Sequence, residues 1–463
     1  MSSASKIWAL ALGSALLGAC TSAPSTSDVS RNAPLGIALP AMKTFAAVAA
    51  PAPTRSNASI AKEFMTLAFE LESGRKLPVM ARFEGPITLR VTGSRVGPAT
   101  ERDIDRLIYR LRSEARIPIS RVSSNRSANI TVEVLSRRTL QRAVPQAACF
   151  VAPNVSSWAE FKSLRLTPGL DWTALVQRDR MAVFLPGDVS AQEIRDCLHE
   201  EVAQALGPVN DLYHLTDSIF NDDNFHTVLT GFDMVILRAF YDSKLHSGMT
   251  AEAVAKRLPG ILSRINPAGR SGRVSPTPAT PRQWSSAIEA ALGARSSAAS
   301  RLASAKRAVS LAKSRGLDDN RLGFSLYAQG RLALANDTAL ALSSFAQAEA
   351  VFRADPATRL HGAHVAVQAA AYALSDGRPG DAIDIVNSNS PTALAAENAS
   401  LLSTLLMIKA QALDSLARHS EAEIVRRDSL GWARYGIGSD AEIRARLQEI
   451  AALAPRVEAD AAP

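Results

Sequence analysis

The sequence predicts an α+β layered sandwich followed by an all-α domain of helical hairpins. In the first half, two segments alternate apolar and polar residues as strands do, and a third is a short apolar run that ends at Pro-Gly. A stretch rich in proline and glycine, residues 266–281, precedes a second half with only helical periodicity. We therefore expect folded regions at residues 60–265 and 282–455, joined by a linker.

The N-terminus has the anatomy of a bacterial lipoprotein signal peptide, residues 1–19. Lys6 precedes an apolar run over residues 7–17, which is too short for a permanent membrane span, and small residues lead to Cys20. Cleavage before Cys20 and lipidation of its thiol would anchor the mature chain. Because no aspartate follows Cys20, we expect an outer-membrane location facing the periplasm. The alternative is an ordinary cleaved signal peptide.

The composition is that of a globular envelope protein rather than a nucleic-acid-binding one. The apolar fraction is 47%, and the net charge of +8 is spread along the chain instead of forming a basic patch. Residues 20–59 consist mainly of Ala, Pro, Ser and Thr and contain few bulky apolar side chains, so we expect a disordered tether. Contact with the membrane is expected through the lipid anchor alone.

Three cysteines occur, and lipidation would consume Cys20. The remaining pair, Cys149 and Cys197, is expected to form a disulfide in an oxidising periplasm. The alternative is a pair of buried thiols, since free cysteine packs as a small hydrophobe.

The predicted elements of the first region follow one another as strand, helix, strand and strand. Residues 87–91 and 130–134 alternate as half-buried strands, and residues 181–185 form the apolar strand. Between the first two, residues 100–112 carry apolar side chains at helical spacing after a Thr-x-x-Asp start.

A longer helix is predicted directly after the third strand. Ser190 and Glu193 have capping-box spacing, and Gly207-Pro208 would end the helix. Its apolar stripe includes Ile194, Cys197, Leu198, Val202 and Leu206.

The second half predicts three helical hairpins, with turns at 336–337, 376–380 and 418–420. A small residue follows each turn, at Ala341, Ala382 and Ala422, about 40 residues apart. A last helix over 440–453 would cap the stack. The pairs resemble tetratricopeptide repeats, with Leu332, Phe345 and Ala422 in fitting places, although the repeat is longer than 34 residues and several signature positions differ. A non-repeating helical bundle is the alternative.

Polar residues that could carry chemistry gather at the end of the 190–206 helix. A zinc peptidase helix needs two ligands four residues apart, with a carboxylate after the first. This template fails at His199, because Ala203 stands four residues on. It fits in spacing at Glu200, where Glu201 takes the place of the catalytic base and Gln204 that of the second ligand.

The wider pattern over residues 200–211, Glu-Glu-x-x-Gln-x-x-Gly-x-x-Asn-Asp, resembles the extended metzincin motif His-Glu-x-x-His-x-x-Gly-x-x-His-Asp. Asn210 stands for the third ligand, Asp211 follows it, and Met249 lies at about the distance of a metzincin Met-turn. The stretch is similar to a bacterial family of secreted domains of unknown function, number 2927, that resembles degenerate metzincins. The resemblance covers residues 60–265 and implies a metzincin-like fold with no assigned reaction.

The donor atoms of this motif do not suit zinc. Zinc prefers imidazole and thiolate, whereas the amides of Gln204 and Asn210 are weak, hard donors. We therefore expect no zinc and no cofactor. A hard cation held by Glu200, Gln204, Asn210 and Asp211 stays open, and so does a purely structural role for these side chains at the helix end.

The histidines nearby offer no obvious metal site. No pair among them has ligand spacing on a helix, so we expect scattered surface residues, with a rearranged zinc site as the alternative. They are His199, His214, His226 and His246.

The leading hypothesis is an envelope lipoprotein that binds a protein or peptide partner through the cleft of a pseudo-metalloprotease domain and through its helical repeats. The runner-up is an active periplasmic metallopeptidase with an unusual metal site. A structural assembly factor with an irrelevant cleft is the third possibility.

Overall fold

The computed structural model describes residues 39–46, 49–94, 96–271, 277–293 and 296–454. The predicted signal peptide and Cys20 lie outside the described residues. The described chain divides into two compact units. The first unit contains residues 46–189 and 193–279, and the second contains residues 39–45, 190–192 and 280–454.

The first unit is an α+β domain, which confirms the predicted fold class. Its described residues form five strands and seven α-helices. In chain order these are α1 (Asn57–Phe69), β1 (Ile87–Thr92), α2 (Pro98–Ser113), β2 (Ile119–Arg121), β3 (Ile130–Leu135), α3 (Arg137–Ala143), β4 (Phe150–Pro153), α4 (Trp158–Leu164), β5 (Met181–Pro186), α5 (Ala191–Leu206), α6 (Gly231–Phe240) and α7 (Ala251–Ile265).

The five strands form one sheet in the order β2-β1-β3-β5-β4. The first four are parallel, with Leu89 beside Ile130 and Ile130 beside Met181. Strand β4 runs antiparallel to β5 and occupies an edge. The chain leaves β5 at Pro186 and enters α5 at Ala191, so the motif helix directly follows the strand that pairs with β4.

Strand β5 separates two apolar clusters, which explains its uninterrupted apolar sequence. Met181, Val183 and Leu185 join the main core with α1, α2 and α5 to α7. Ala182 and Phe184 face the smaller cluster, which includes Phe150, Trp158 and Phe161. A strand buried on both faces reads as a continuous apolar run, whereas the half-buried β1 alternates.

The second unit is entirely helical in its described residues. It consists of α8 (Arg282–Leu292), α9 (Ala298–Ser314), α10 (Asn320–Ala333), α11 (Thr338–Ala354), α12 (Arg359–Ser375), α13 (Pro379–Ala395), α14 (Ala399–Ser415), α15 (His419–Gly436) and α16 (Asp440–Ala451). Helices α10 and α11, α12 and α13, and α14 and α15 pack as antiparallel neighbours across the three predicted turns. Ala341, Ala382 and Ala422 are fully buried, as close helix packing requires.

Sequence reasoning missed the two short strands β2 and β4 and, in the same unit, the helices α1, α3, α4, α6 and α7. Strand β2 has three residues and β4 has four, so neither gives a measurable alternation. Helix α1 falls across residue 60, where the composition changes, and it begins at Asn57 behind an N-cap at Ser56.

The disulfide is confirmed. Cys149 and Cys197 are bonded, with their Cα atoms 6.0 Å apart. The bond joins the residue that precedes β4 to the middle of α5. It therefore links the edge strand of the sheet covalently to the helix that carries the motif.

The tether prediction was wrong for the described part of residues 39–56. Phe45 stacks on Trp432 within the second unit, with ring centroids 4.6 Å apart. Within the first unit, the Ala46 carbonyl accepts a hydrogen bond from Arg106, and Arg55 pairs with Asp217. Mean composition did not reveal these few anchoring side chains in a segment rich in alanine and proline.

The predicted linker also begins later than expected. Asn266 is buried and exchanges hydrogen bonds with Asn57, and a short 3₁₀ helix follows at Pro267–Arg270. Residues 266–271 thus belong to the first unit. Residues 272–276 lie outside the described residues.

Candidate functional site

Helix α5 and the segment that follows it carry the metzincin-like motif. Glu200, Glu201 and Gln204 lie on the last two turns of α5, and Asn210 and Asp211 lie just beyond its end. Glu201, Asn210 and Asp211 are buried, as the apolar stripe of the helix predicts for Glu201. The Gln204 side-chain amide donates a hydrogen bond to Asp211 Oδ2 at 2.9 Å, which ties the helix to the following segment.

The end of α5 is held by a buried arginine. The Arg178 guanidinium donates to the carbonyls of Gln204 and Gly207, the latter at 2.6 Å. The Tyr241 hydroxyl donates to the Leu206 carbonyl at 2.8 Å. These donors satisfy carbonyls that a helix end leaves without backbone partners. These hydrogen bonds therefore fix the position of the turn that follows the motif helix.

Five carboxyl groups interact around this turn, and we call them the acidic cluster. Its members are Glu72, Glu200, Glu201, Asp211 and Asp222. Glu201 and Asp211 are buried, whereas Glu72 and Glu200 are half-buried. Like charges at short range in a poorly solvated site cannot all ionise near pH 7. The cluster must therefore hold protons or a compensating cation.

Glu201 is the clearest case of a retained proton. Burial raises its pKa to about 8, and the charge of Asp211 acts in the same direction. A hydrogen bond from the backbone of Val151, in β4, opposes the shift without cancelling it. The Glu201 carboxyl is therefore expected to keep its proton at pH 7.

Glu72 and Asp211 also favour their protonated forms. Burial raises the pKa of Asp211 well above its ordinary 3.8, and the charge of Glu200 adds to the effect. Burial also raises the pKa of Glu72, and the charges of Asp222 and Asp211 act in the same direction. These two carboxyls therefore add to the protons that the cluster holds near pH 7.

The loop that brings Asp222 to the cluster is built on Asp233. This buried carboxylate caps α6 together with Thr230, and it accepts from the Ser218 hydroxyl at 2.5 Å and the Ile219 amide at 3.1 Å. Asn221 donates to the Leu215 carbonyl at 2.7 Å within the same loop. Buried polar side chains thus set the path of the chain on both sides of Asp222.

Among the described residues, no three His, Cys, Asp or Glu side chains are arranged to hold a metal ion. Two atoms of the site nevertheless lack a partner. Glu201 Oε2 and Asp211 Oδ1 are buried, and neither takes part in a hydrogen bond among the described residues. Such an atom is normally satisfied by water, by a ligand or by its own proton.

The four histidines are engaged elsewhere, and the expectation of surface positions was wrong for His199. This ring is buried, and its Nδ1 accepts from the Leu229 amide at 3.0 Å. Burial and the charges of nearby arginines lower the pKa of His199, so the ring is neutral at pH 7. His214 bonds to Glu63 at 2.9 Å, His226 donates to the Thr216 carbonyl, and His246 donates to the Ser247 carbonyl.

Met249 packs in the main core, and its hydrogen bonds go to residues outside the acidic cluster. Its sulfur accepts from the His246 amide at 3.3 Å, and its backbone pairs with Met80.

Glu72 and Asp222 are the site residues that sequence reasoning missed. Neither belongs to the motif, and the spacing of Glu72 in the turn after α1 gives no sign that it meets residues 200–211.

The first unit is thus an α+β domain with an acidic cluster at the exit of its motif helix. Residues 57–260 match the family model described as a protein of unknown function (DUF2927). No curated protein and no solved structure matches the chain. Among the described residues, no helix has the length and apolar character needed to cross a bilayer.

Proposed function

We propose that this protein is an envelope lipoprotein that binds a partner and does not cleave peptides. The observation that carries the proposal is the donor set at the motif positions. Glu200 and Gln204 stand where a zinc peptidase has histidines, and the Gln204 amide already bonds to Asp211. The one histidine on α5, His199, accepts a backbone hydrogen bond instead.

The absence of histidine ligands limits what Glu201 can do at the position of the catalytic base. Without zinc, the pKa of the attacking water stays near its high bulk value instead of falling to ~7, and no Lewis acid polarises the carbonyl. Positioned base catalysis alone contributes typically ~10²- to 10⁴-fold, which is far below what peptide hydrolysis demands.

The placement of the motif supports descent from a metzincin-like scaffold. Its spacing is realised on one helix and one turn, with Glu200, Glu201 and Gln204 on α5, Gly207 at its end and Asp211 beyond. The disulfide joins the motif helix to the edge strand β4, and sheet edges can bind extended peptides by strand addition. The proposed cleft lies beside this edge, and we assign peptide or protein binding to it.

The second unit supports a role in recruiting a partner. Its three hairpins follow one another along the chain, and consecutive hairpins are in contact through α11 with α12 and α13 with α14. Stacked helical hairpins of this kind commonly present extended binding surfaces to proteins and peptides. The proposed partner is a protein or peptide of the cell envelope.

A metallopeptidase with an unusual metal remains the second candidate, and one observation favours it. Glu201 Oε2 is buried without a partner beside Asp211, where a hard cation or its water could bind. Oxygen ligands of this kind suit calcium or magnesium better than zinc.

Elemental analysis and a peptidase assay separate the two candidates. We expect the full chain, purified without chelator, to contain no stoichiometric metal and to leave peptides intact. The same assay on Glu201→Ala gives the background rate. One metal ion per chain, together with hydrolysis that disappears in Glu201→Ala, would restore the metallopeptidase.

A further inference from the structure

A short segment of the N-terminal region is bound along one helix of the second unit. We call this segment, Pro40–Phe45, the N-terminal clasp. It has no regular secondary structure, and its middle residues are exposed. It is therefore an extended peptide that lies on a helical surface and is held by a few anchors.

The first anchor is aromatic. The Phe45 ring stacks on Trp432 of α15 with centroids 4.6 Å apart and an angle of 27° between the planes. Its edge faces Tyr435, one turn further along, at 6.2 Å. Two helix aromatics three residues apart thus receive one ring, which is an arrangement that selects an aromatic side chain.

The second anchor is a cation. The Lys43 ammonium pairs with Asp428 and also lies 5.4 Å from the centre of the Trp432 ring. The ion pair is partly exposed and is weak by itself. The cation over the indole face adds a contact that a neutral side chain would not make.

Backbone contacts complete the site. The Lys43 amide donates to the Gly431 carbonyl at 2.9 Å, and Arg434 donates to the Pro40 carbonyl at 2.9 Å. A side chain at position 431 would bring its Cβ within 3.0 Å of Lys43 Cγ and 3.4 Å of the Ala41 carbonyl. Glycine in the middle of a helix lowers stability, so its presence fits a close approach of another chain segment.

We propose that the Asp428–Tyr435 face of α15 is a peptide-binding site whose occupant is the N-terminal clasp of the same chain. The site recognises a lysine followed two residues later by an aromatic ring. A single helix, α15, supplies the partners of both anchors and of both hydrogen bonds to the backbone of the clasp. This inference concerns the second unit and does not depend on what the acidic cluster binds.

Proteolysis tests the aromatic anchor in the full chain. Trypsin can cut after Lys43 only when the clasp has left the helix, so the rate follows the undocked fraction. We expect Phe45→Ala and Trp432→Ala each to raise the cleavage rate at this bond roughly tenfold, as measured by mass spectrometry. Ile424→Ala is the matched control, because Ile424 lies on the same helix and is 71% exposed. Phe45→Ala changes the clasp alone and leaves α15 intact.

A double variant shows whether the two rings act together. If they do, Phe45→Ala has little further effect in a Trp432→Ala background. Cleavage at the wild-type rate in both single variants would overturn the proposal.

Charge exchange tests recognition of the lysine. Hydrogen exchange at the residue 43 amide should speed up several-fold in Lys43→Glu and slow again when Asp428→Lys is added. A double variant that exchanges as fast as Lys43→Glu would show that the site does not select the cation.

Discussion

Glu201 gives the first unit an unusual dependence on pH. Its folded-state pKa of about 8 lies above the ordinary 4.5, so the folded protein holds this proton more tightly than the unfolded chain does. The associated stability is complete below about pH 4.5 and is lost as the pH rises through 8. Between these two values the stability falls steadily as the pH rises.

We therefore expect the first unit to melt at a lower temperature at pH 8 than at pH 5. Glu201→Gln, which mimics the protonated acid, should reduce this difference and raise the melting temperature at pH 8, while the other carboxyls of the acidic cluster keep the remainder. The exposed Glu252 on α7 provides a control variant, Glu252→Gln. Equal melting temperatures of the wild type at pH 5 and pH 8 would contradict a protonated Glu201.

The sequence predicted part of the candidate site at the end of α5. The apolar stripe of the motif helix placed Glu201 in the interior, and the motif spacing brought Gln204 and Asp211 to one turn. Glu72 comes from more than a hundred residues earlier, and Asp222 comes from a loop that Asp233 organises. Neither short-range periodicity nor spacing reports such a contact, because it depends on how distant elements pack.

The close contact between α5 and α6 depends on a glycine. At Gly207 an added Cβ would lie 2.7 Å from the Phe240 ring, which is fully buried and cannot move aside easily. We expect Gly207→Ala to lower the free energy of unfolding by about 1–3 kcal/mol through overpacking. The measurement is urea denaturation of the full chain, in which the unfolding transition of the first unit is followed.

Gly260→Ala is the matched control for this substitution. Gly260 lies inside α7, is exposed, and has no atom within 4 Å of the added Cβ. Replacing it should stabilise the helix by about 0.5–1 kcal/mol, because alanine is the better helix former. A Gly207→Ala protein as stable as Gly260→Ala would show that α5 and α6 can separate without cost.

The disulfide joins one element that the sequence predicted to one that it did not. Helix α5 was evident from its pattern, whereas β4 was not, yet both cysteines were expected to pair because they are the even remainder in an oxidised compartment. The bond closes a loop across 48 residues of sequence, and the chain-entropy estimate for such a loop is about 4 kcal/mol.

We expect the Cys149→Ala, Cys197→Ala double variant to unfold more easily by about 2–4 kcal/mol. Alkylation of the unreduced wild type should label neither cysteine. A double variant with wild-type stability would mean that β4 and α5 are held in place by packing alone.

For the whole molecule, the predicted division into an α+β region and a helical region follows from the change in periodicity near residue 280. The hairpin turns were predicted because polar residues or glycine interrupt long helical patterns there. The contacts of residues 39–56 were not predicted, since they depend on single side chains such as Phe45 and Arg55 rather than on composition.

The lipid anchor expected at Cys20 affects the whole protein. Cys20→Ser should release the protein from the membrane pellet while the two folded units keep their circular dichroism spectrum. Three acyl chains hold a protein stably, whereas a single chain binds only marginally. Continued sedimentation of the variant with membranes in high salt would refute the anchor.

The N-terminal clasp would also set how far an anchored molecule can search. From Cys20 to Pro40 the chain has 20 residues, which span at most about 70 Å when fully extended. Without the clasp, the next contact along the chain, from the Ala46 carbonyl to Arg106, would end a chain of 26 residues, with a span of up to about 90 Å. Opening the clasp would lengthen the reach of the tether by roughly a third, and the larger volume above the membrane would lower the local concentration of the protein at any partner embedded there.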